Sequence, residues 1–120
     1  MRILVVDDSK AMRMIVERTL RLAGYDEHEI VHAANGVQAI EVIGVEPPDL
    51  VLCDWNMPEM SGLDLLNALR GAGWHVPFGF VTSEAAPQMR EQALAAGAMF
   101  LIAKPFTVQD FQDALDPVLA

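Results

Sequence analysis

The sequence predicts an α/β fold in which one parallel β-sheet carries helices on both faces. Short apolar runs of strand length alternate with longer stretches of helical periodicity, and no linker or repeat divides the chain. The 120 residues, 52% of them hydrophobic, are enough for one core, so we expect a single domain over residues 1–120. The predicted strands are Ile3 to Val6, Glu29 to Ala33, Leu50 to Cys53, Phe78 to Val81 and Phe100 to Ala103.

The first two helices follow the first two strands. The first has apolar residues at three- and four-residue steps and should end at Gly24. Its apolar face is predicted to hold Met12, Ile15, Val16, Leu20 and Ala23, opposite a polar face of Arg13, Glu17, Arg18 and Arg21. The second helix is predicted from about Gly36 to Ile43, closed by Gly44. The Pro47-Pro48 pair then favours an extended approach to the third strand.

The remaining helices begin with recognisable caps. Ser61 is placed to cap the third helix, with Asp64 three residues later completing a capping box. Pro87 suits the first turn of the fourth helix, which we expect to stop at Gly97. The fifth helix should start after a second capping box, formed by Thr107 and Asp110.

The charge balance excludes several classes of partner. Seventeen acidic residues against eight basic ones give a net charge of -9, which repels nucleic acid and anionic membranes.

No apolar run approaches the roughly 18 residues of a membrane helix, and no signal peptide precedes the first strand. Cys53 is the only cysteine, so an internal disulfide is impossible. We therefore expect a cytoplasmic protein.

Polar residues follow four of the five strands. In a parallel sheet these ends converge on one edge, where such sheets bind ligands. The residues are Asp7 and Asp8 after the first strand, Asp54 after the third, Thr82 after the fourth and Lys104 after the fifth. Two carboxylates about 4 Å apart repel by roughly 4 kcal/mol near a protein surface, so cations are needed. Lys104 supplies one, and the all-oxygen ligand set favours Mg²⁺ as the second.

This arrangement suits phosphoryl chemistry. A carboxylate in the crevice could attack a phosphoryl group in line and hold it as an acyl phosphate. The metal would offset charge on the phosphoryl oxygens. Lys104 would pair with one of these oxygens, and the Thr82 hydroxyl would donate a hydrogen bond to a different one.

Several segments carry a resemblance to bacterial response-regulator receiver domains, in the order and spacing of that family. They are Leu4 to Asp8, Asp54 to Pro58 with Gly62, Val81-Thr82, Gly97-Ala98 and Lys104 to Phe106. Because they span almost the whole chain, the sequence is identified as a member of that family. The resemblance implies a flavodoxin-like (βα)5 fold: a doubly wound, five-stranded parallel sheet with strand order 2-1-3-4-5.

The resemblance also implies roles for the acidic residues. Asp54 would be the phosphoryl acceptor, and Asp7 and Asp8 the acids that bind Mg²⁺ together with it. The backbone carbonyl of Asn56 would be a further metal ligand.

Further roles follow for residues near the fifth strand. Thr82 and Lys104 would hold the phosphoryl group, and the bond before Pro105 would be cis. The family usually has an aromatic residue three positions before the lysine, but here that residue is Leu101, with Phe100 one position earlier. We take Leu101, Phe100 and Pro105 as the switch and output positions.

Two positions resemble the single-domain chemotaxis regulators most. Asn56 lies two residues after Asp54, and Glu84 lies two residues after Thr82. By the resemblance, Asn56 and Glu84 modulate dephosphorylation and imply a short-lived signal.

The expected function is a phosphorylation-dependent switch in two-component signalling. A sensor histidine kinase would donate the phosphoryl group to Asp54, and the surface of the fourth helix, fifth strand and fifth helix would bind a partner such as a flagellar-motor component. The sequence ends at Ala120, right after the fifth helix, so we expect output through contact with another protein, unless the chain is an excised fragment, in which case the missing domain decides the output. We expect a monomer that catalyses only its own phosphorylation and dephosphorylation, and is not otherwise an enzyme.

Three alternatives compete with this interpretation. A phosphate sink or phosphorelay intermediate would need no output partner, and the Leu101 departure favours it. An aspartate-nucleophile phosphatase of the haloacid-dehalogenase type places its two acids two residues apart, whereas Asp7 and Asp8 are adjacent and Ser9 follows. A flavin-binding module would need a Ser/Thr/Gly-rich phosphate loop after the first strand, where this chain has acidic residues.

Overall fold

A computed structural model describes residues 1–119. Ala120, where we expected the chain to end directly after the fifth helix, lies outside the described residues. The elements in chain order are β1 Arg2–Val6, α1 Lys10–Leu20, β2 Glu29–Ala33, α2 Gly36–Val45, β3 Leu50–Cys53, α3 Gly62–Gly71, β4 Phe78–Thr82, α4 Pro87–Ala95, β5 Phe100–Ala103 and α5 Val108–Leu119. A π-helical turn, Arg21–Tyr25, continues α1.

The five strands form one parallel sheet in the order β2-β1-β3-β4-β5, which confirms the predicted fold. The register aligns Val6 of β1 with Ala33 of β2 and with Cys53 of β3. Because the carboxyl ends of β1 and β3 lie side by side, the residues that follow them are brought to the same edge of the sheet.

Helices cover both faces of the sheet, which explains why the strands are apolar at nearly every position. Alternate residues of β1 face opposite ways: Leu4 and Val6 join a core beneath α2, α3 and α4, while Ile3 and Val5 join a core beneath α1 and α5. None of the described helices has the length and hydrophobicity of a transmembrane segment.

The apolar face of α1 differs from the prediction at one position. Val16 and Leu20 are buried against the sheet as expected, but Ile15 is 50% exposed. Thr19 is buried in its place, and its hydroxyl donates to the Ile15 carbonyl at 2.8 Å. Consecutive helical residues are about 100° apart around the axis, so facing Val16 to the sheet turns Ile15 toward solvent.

The predicted helix ends were right for two glycines and wrong for one. Gly24 and Gly97 both adopt a φ of 105°, the left-handed conformation that ends a helix. Gly44 does not end α2, which continues to Val45. The helix stops where Glu46 turns extended, just before Pro47, because a residue that precedes proline disfavours the helical conformation.

The helix starts confirm the predicted caps. The Ser61 hydroxyl accepts from the Asp64 amide, and the Asp64 carboxylate accepts from the Ser61 amide. Thr107 and Asp110 exchange the same pair of hydrogen bonds at 2.9 and 3.1 Å. Pro87 is the first residue of α4. These caps start α3, α4 and α5 just beyond the carboxyl edge of the sheet.

Candidate functional site

The residues predicted from the strand ends meet at the carboxyl edge of the sheet. Asp7 and Asp8 follow β1, Asp54 follows β3, and Lys104 follows β5. The Lys104 Nζ lies 3.2 Å from Asp7 Oδ2 and 3.4 Å from Asp54 Oδ2. One ammonium group therefore bridges two carboxylates that come from different strands.

Asp7, Asp8 and Asp54 form a cluster that could hold a metal ion. One carboxylate oxygen of each lies within 4.8 Å of the others. Ligand oxygens on one octahedral Mg²⁺ are about 3 to 4 Å apart, given metal–oxygen distances near 2.1 Å, so a small inward movement would suffice. Asp7 is buried, Asp54 is half-buried and Asp8 is exposed, which leaves the cluster open to solvent on one side. The donor set and its spacing fit Mg²⁺.

Backbone amides orient the two carboxylates that face Lys104. The Ser9 amide donates to Asp7 Oδ1 at 2.9 Å, and the Trp55 amide donates to Asp54 Oδ1 at 2.7 Å. Each aspartate thus has one oxygen held by the main chain and the other directed at the ammonium group. Fixed orientations of this kind reduce the reorganisation needed when a ligand arrives.

The Asp7 carboxylate is held in an unfavourable environment. Burial raises its pKa above the ordinary value of 3.8, and the nearby Asp54 charge also raises it. The Ser9 amide and the Lys104 ammonium lower the pKa but do not offset the burial. A divalent cation would therefore stabilise a charge that the folded protein otherwise holds at a cost.

Replacing Asp7 with asparagine should stabilise the metal-free protein at pH 7 by about 1 kcal/mol. Because the Asp7 pKa is raised on folding, its stabilising contribution is present below pH 3.8 and is lost as the pH rises through the folded value. Asparagine is uncharged, like the protonated acid, so the variant does not lose this stability as the pH rises. Urea unfolding in chelator from pH 3.5 to 7 measures the difference.

Asp8→Asn is the matched control, since the Asp8 side chain is exposed and the same charge is removed. Its stability should stay within about 0.5 kcal/mol of the parent. A loss of stability in Asp7→Asn at pH 7 would show that the Lys104 pairing outweighs the burial.

The loops after β3 and β4 are linked across the site. Thr82 is fully buried at the end of β4, and its hydroxyl accepts from the Glu84 amide at 3.1 Å. The Glu84 carboxylate in turn accepts from Asn56 Nδ2 at 3.1 Å. The sequence placed Asn56 and Glu84 near the site but did not predict that they contact each other. The Thr82 carbonyl also accepts from the Lys104 amide at 2.9 Å, which ties the β4 and β5 ends together.

Of the three positions assigned to the switch and output, Phe100 and Leu101 lie in β5 and face opposite ways, and Pro105 lies just after β5. Leu101, 5% exposed, packs in the core beneath α2, α3 and α4. Phe100 packs on the opposite face, against the α1 and α5 core, and its ring occupies the space beside Gly79, where a Cβ atom would collide with it. The Lys104–Pro105 bond is cis, as the resemblance implied, and Pro105 is exposed.

One arginine near the site was missed. The sequence assigned Arg13 to the polar face of α1, but its side chain is half-buried and Nη1 donates to the Asp7 carbonyl at 2.6 Å. Helical spacing does not separate Arg13 from the other polar residues of α1, so no sequence signal could have found this contact.

Comparisons with known proteins identify the family of this chain. The family model for the response regulator receiver domain matches residues 3–116. Chemotaxis protein CheY1 of Helicobacter pylori is 40% identical, with 99% of this chain and 97% of that protein covered. The chemotaxis protein CheY homolog of Campylobacter jejuni subsp. jejuni is 38% identical, with 99% of this chain and 92% of that protein covered.

A solved structure of a chemotaxis protein has the same fold as this chain. The chemotaxis protein CheY4 of Vibrio cholerae, crystallised at low pH, superposes with a TM-score of 0.85 and 32% identity over 98% of both chains. The family model covers nearly the whole chain and the fold agrees with the solved structure, so this chain belongs to the response regulator receiver domain family.

Proposed function

We propose that this chain is a phosphorylation-dependent chemotaxis regulator in which Asp54 accepts a phosphoryl group from a histidine kinase with the help of Mg²⁺. The observation that carries the proposal is the position of Asp54, whose carboxylate lies 3.4 Å from Lys104 Nζ within a cluster of three acids. The acids attract a divalent cation, and the ammonium group remains close enough to pair with an incoming phosphoryl oxygen.

The proposed transfer uses groups of this chain in distinct roles. An Asp54 carboxylate oxygen forms the new bond to phosphorus as the bond between phosphorus and the kinase histidine nitrogen breaks, and that nitrogen keeps the electron pair. Lys104 pairs with one phosphoryl oxygen, and the Thr82 hydroxyl donates to another. Asp7, Asp8, Asp54 and the Asn56 carbonyl would hold Mg²⁺, which would supply charge stabilisation of the phosphoryl oxygens.

Loss of the phosphoryl group would also occur within this site. Asn56 and Glu84 lie on the two loops beside Asp54 and are hydrogen-bonded to each other, so their side chains border the approach of water to the acyl phosphate. We assign them as modulators of hydrolysis. The protein would then catalyse only its own phosphorylation and dephosphorylation and turn over no separate substrate, so we do not class it as an enzyme.

Output would occur through a protein partner in the cytoplasm. A groove of about 410 Å³ lies between α4, β5 and α5, and its lining includes Phe100, Leu101 and Pro105. The relatives named as chemotaxis proteins support a role in chemotaxis, and we propose a component of the flagellar motor as the partner. The net charge of -9 disfavours nucleic acid as the target. We propose that the protein acts as a monomer.

A second candidate, a phosphate sink or phosphorelay intermediate, is favoured by Leu101. This leucine takes the position at which the family usually has an aromatic residue, and it is buried in the core. In that case phosphorylation would proceed without a change in partner affinity, which distinguishes the two candidates.

The test is incubation with acetyl phosphate, with and without Mg²⁺, followed by intact mass measurement and borohydride trapping. The expected result is a single phosphorylation that requires Mg²⁺ and is lost in Asp54→Asn. Asp64→Asn is a matched control, because Asp64 is an exposed aspartate in the α3 capping box and is not one of the three acids of the cluster. Phosphorylation that persists in Asp54→Asn would show that the acceptor is misassigned.

A further inference from the structure

Arg13 connects α1 to the turn after β1, which carries Asp7 and Asp8 of the acidic cluster. It lies one turn into α1, and its Nη1 donates to the Asp7 carbonyl at 2.6 Å. A contact of this length between a guanidinium and a carbonyl is a strong, charge-assisted hydrogen bond. The guanidinium therefore contacts the main chain of a residue whose carboxylate belongs to the cluster.

The Asp7 carbonyl lies just beyond the last residue of β1, where the sheet no longer supplies its hydrogen-bond donor. β1 ends at Val6, and the Asp7 amide still donates to the Ala33 carbonyl of the neighbouring strand at 3.2 Å. The carbonyl on the other side of Asp7 accepts from Arg13 instead of from a strand. Asp7 is thereby fixed from both sides, by a strand at its amide and by an arginine at its carbonyl.

The same turn is fixed at Ser9. The Ser9 amide donates to Asp7 Oδ1, the Ser9 hydroxyl accepts from the Met12 amide, and the Ser9 carbonyl accepts from the Arg13 amide at 3.0 Å. Arg13 thus contacts the turn through its main chain and its side chain together. A change in the guanidinium position would be transmitted to the peptide group between Asp7 and Asp8.

The way the guanidinium is buried argues against a role in stability alone. Within residues 1–119, Arg13 Nε is buried and has no hydrogen-bond partner. A buried donor without a partner is unfavourable, so an apolar residue of similar length would satisfy the packing at lower cost. The contact that distinguishes arginine here is the one to Asp7.

We propose that Arg13 is a positioning residue for the divalent-cation site: its guanidinium holds the Asp7 peptide so that the Asp7 and Asp8 carboxylates face the same ion. The inference rests on the proposed function, because it concerns the Mg²⁺ site described there. It adds a residue outside the strand ends to the machinery of that site.

The test compares Arg13→Met with Arg13→Lys and with Arg18→Met. Methionine keeps an unbranched apolar side chain but removes the donors, and lysine restores one donor and the charge. Arg18 is exposed on the same helix, so Arg18→Met removes the same charge without touching the turn. Mg²⁺ affinity is measured from the amide shifts of Ser9 and Trp55 in ¹⁵N NMR titrations, and stability is measured by urea unfolding.

Arg13→Met should weaken Mg²⁺ binding about 10-fold, the lower end of the effect of losing a group that orients a metal ligand. Arg13→Lys should recover affinity to within about 3-fold of the parent, and Arg18→Met should leave it unchanged. At saturating Mg²⁺, phosphorylation of Arg13→Met by acetyl phosphate should approach the parent rate. This recovery would place the defect in the assembly of the cation site.

Unchanged Mg²⁺ affinity in folded Arg13→Met would overturn the inference and leave Arg13 as a structural contact. Equal weakening in Arg18→Met would also overturn it, because a general charge effect would then explain the loss. If the parent protein itself bound no Mg²⁺, the proposed function would fail first, and the comparison between variants makes the two failures distinguishable.

Discussion

Replacing Lys104 with methionine is expected to slow phosphorylation of Asp54 by acetyl phosphate about 100-fold at saturating Mg²⁺. The ammonium group lies 3.4 Å from Asp54 Oδ2, and its side chain is only 16% exposed, so solvent screens it weakly. Methionine fills a similar volume but cannot pair with a phosphoryl oxygen. The rate is measured by following the phosphorylated fraction over time by intact mass.

The same substitution separates two roles of the lysine. In the parent, Lys104 also pairs with Asp7 Oδ2, so a bound cation competes with it for the same carboxylates. Lys104→Met should therefore bind Mg²⁺ more tightly while reacting more slowly. Weaker Mg²⁺ binding in this variant would contradict that competition.

Lys10→Met is the control, because Lys10 is the only other lysine of the chain and is exposed at the start of α1. It removes an equal charge and should leave both the phosphorylation rate and the Mg²⁺ affinity close to those of the parent. A similar slowing in Lys10→Met would indicate that net charge, rather than the position of Lys104, controls the rate.

Replacing Gly62 with alanine is expected to destabilise the protein by about 1–3 kcal/mol and to slow phosphorylation by roughly 10-fold or more. A Cβ atom at Gly62 would collide with the backbone carbonyl of Asp54 and with the Phe80 ring. The Gly62 amide also donates to the Trp55 carbonyl at 2.8 Å, so α3 contacts the loop after β3 directly. Relief of the collision requires the Asp54 peptide to move, which displaces the carboxylate.

Thermal unfolding and initial phosphorylation rates, measured on the same samples well below the unfolding temperature, separate the two effects. Gly44→Ala is the matched control, since Gly44 lies inside α2 and its added Cβ would meet no atom within 4 Å. That variant should be more stable by about 0.5–1 kcal/mol, because alanine loses less conformational entropy in a helix. Parent-like stability in Gly62→Ala would show that the loop after β3 can move to accommodate the added Cβ atom without loss of stability.

The five strands could be predicted from sequence because both faces of the sheet are covered. Apolar runs such as Leu50–Cys53 have no other reasonable location than the centre of a parallel sheet. Caps were predictable for a similar local reason, since Ser61 and Asp64 contact each other within one helical turn. Where a signal was weaker, as at Gly44, the boundary was wrong.

The chemistry of the candidate site was also encoded locally. Asp7, Asp54 and Lys104 each follow a strand. A parallel sheet brings such residues to one edge regardless of the conformation of the loops. The strand order decided which of them are neighbours, and the contacts of Lys104 with both Asp7 and Asp54 required β1, β3 and β5 to converge.

By itself, then, the sequence determined the fold class, the helix caps and the residue types at the carboxyl edge, because each depends on periodicity or on neighbours along the chain. Tertiary structure alone decided that Arg13 holds the Asp7 carbonyl and that Asn56 bonds to Glu84. These contacts depend on how each helix is rotated on the sheet and how each loop is directed. Such orientations are set by packing between segments distant in sequence, and no local pattern records them.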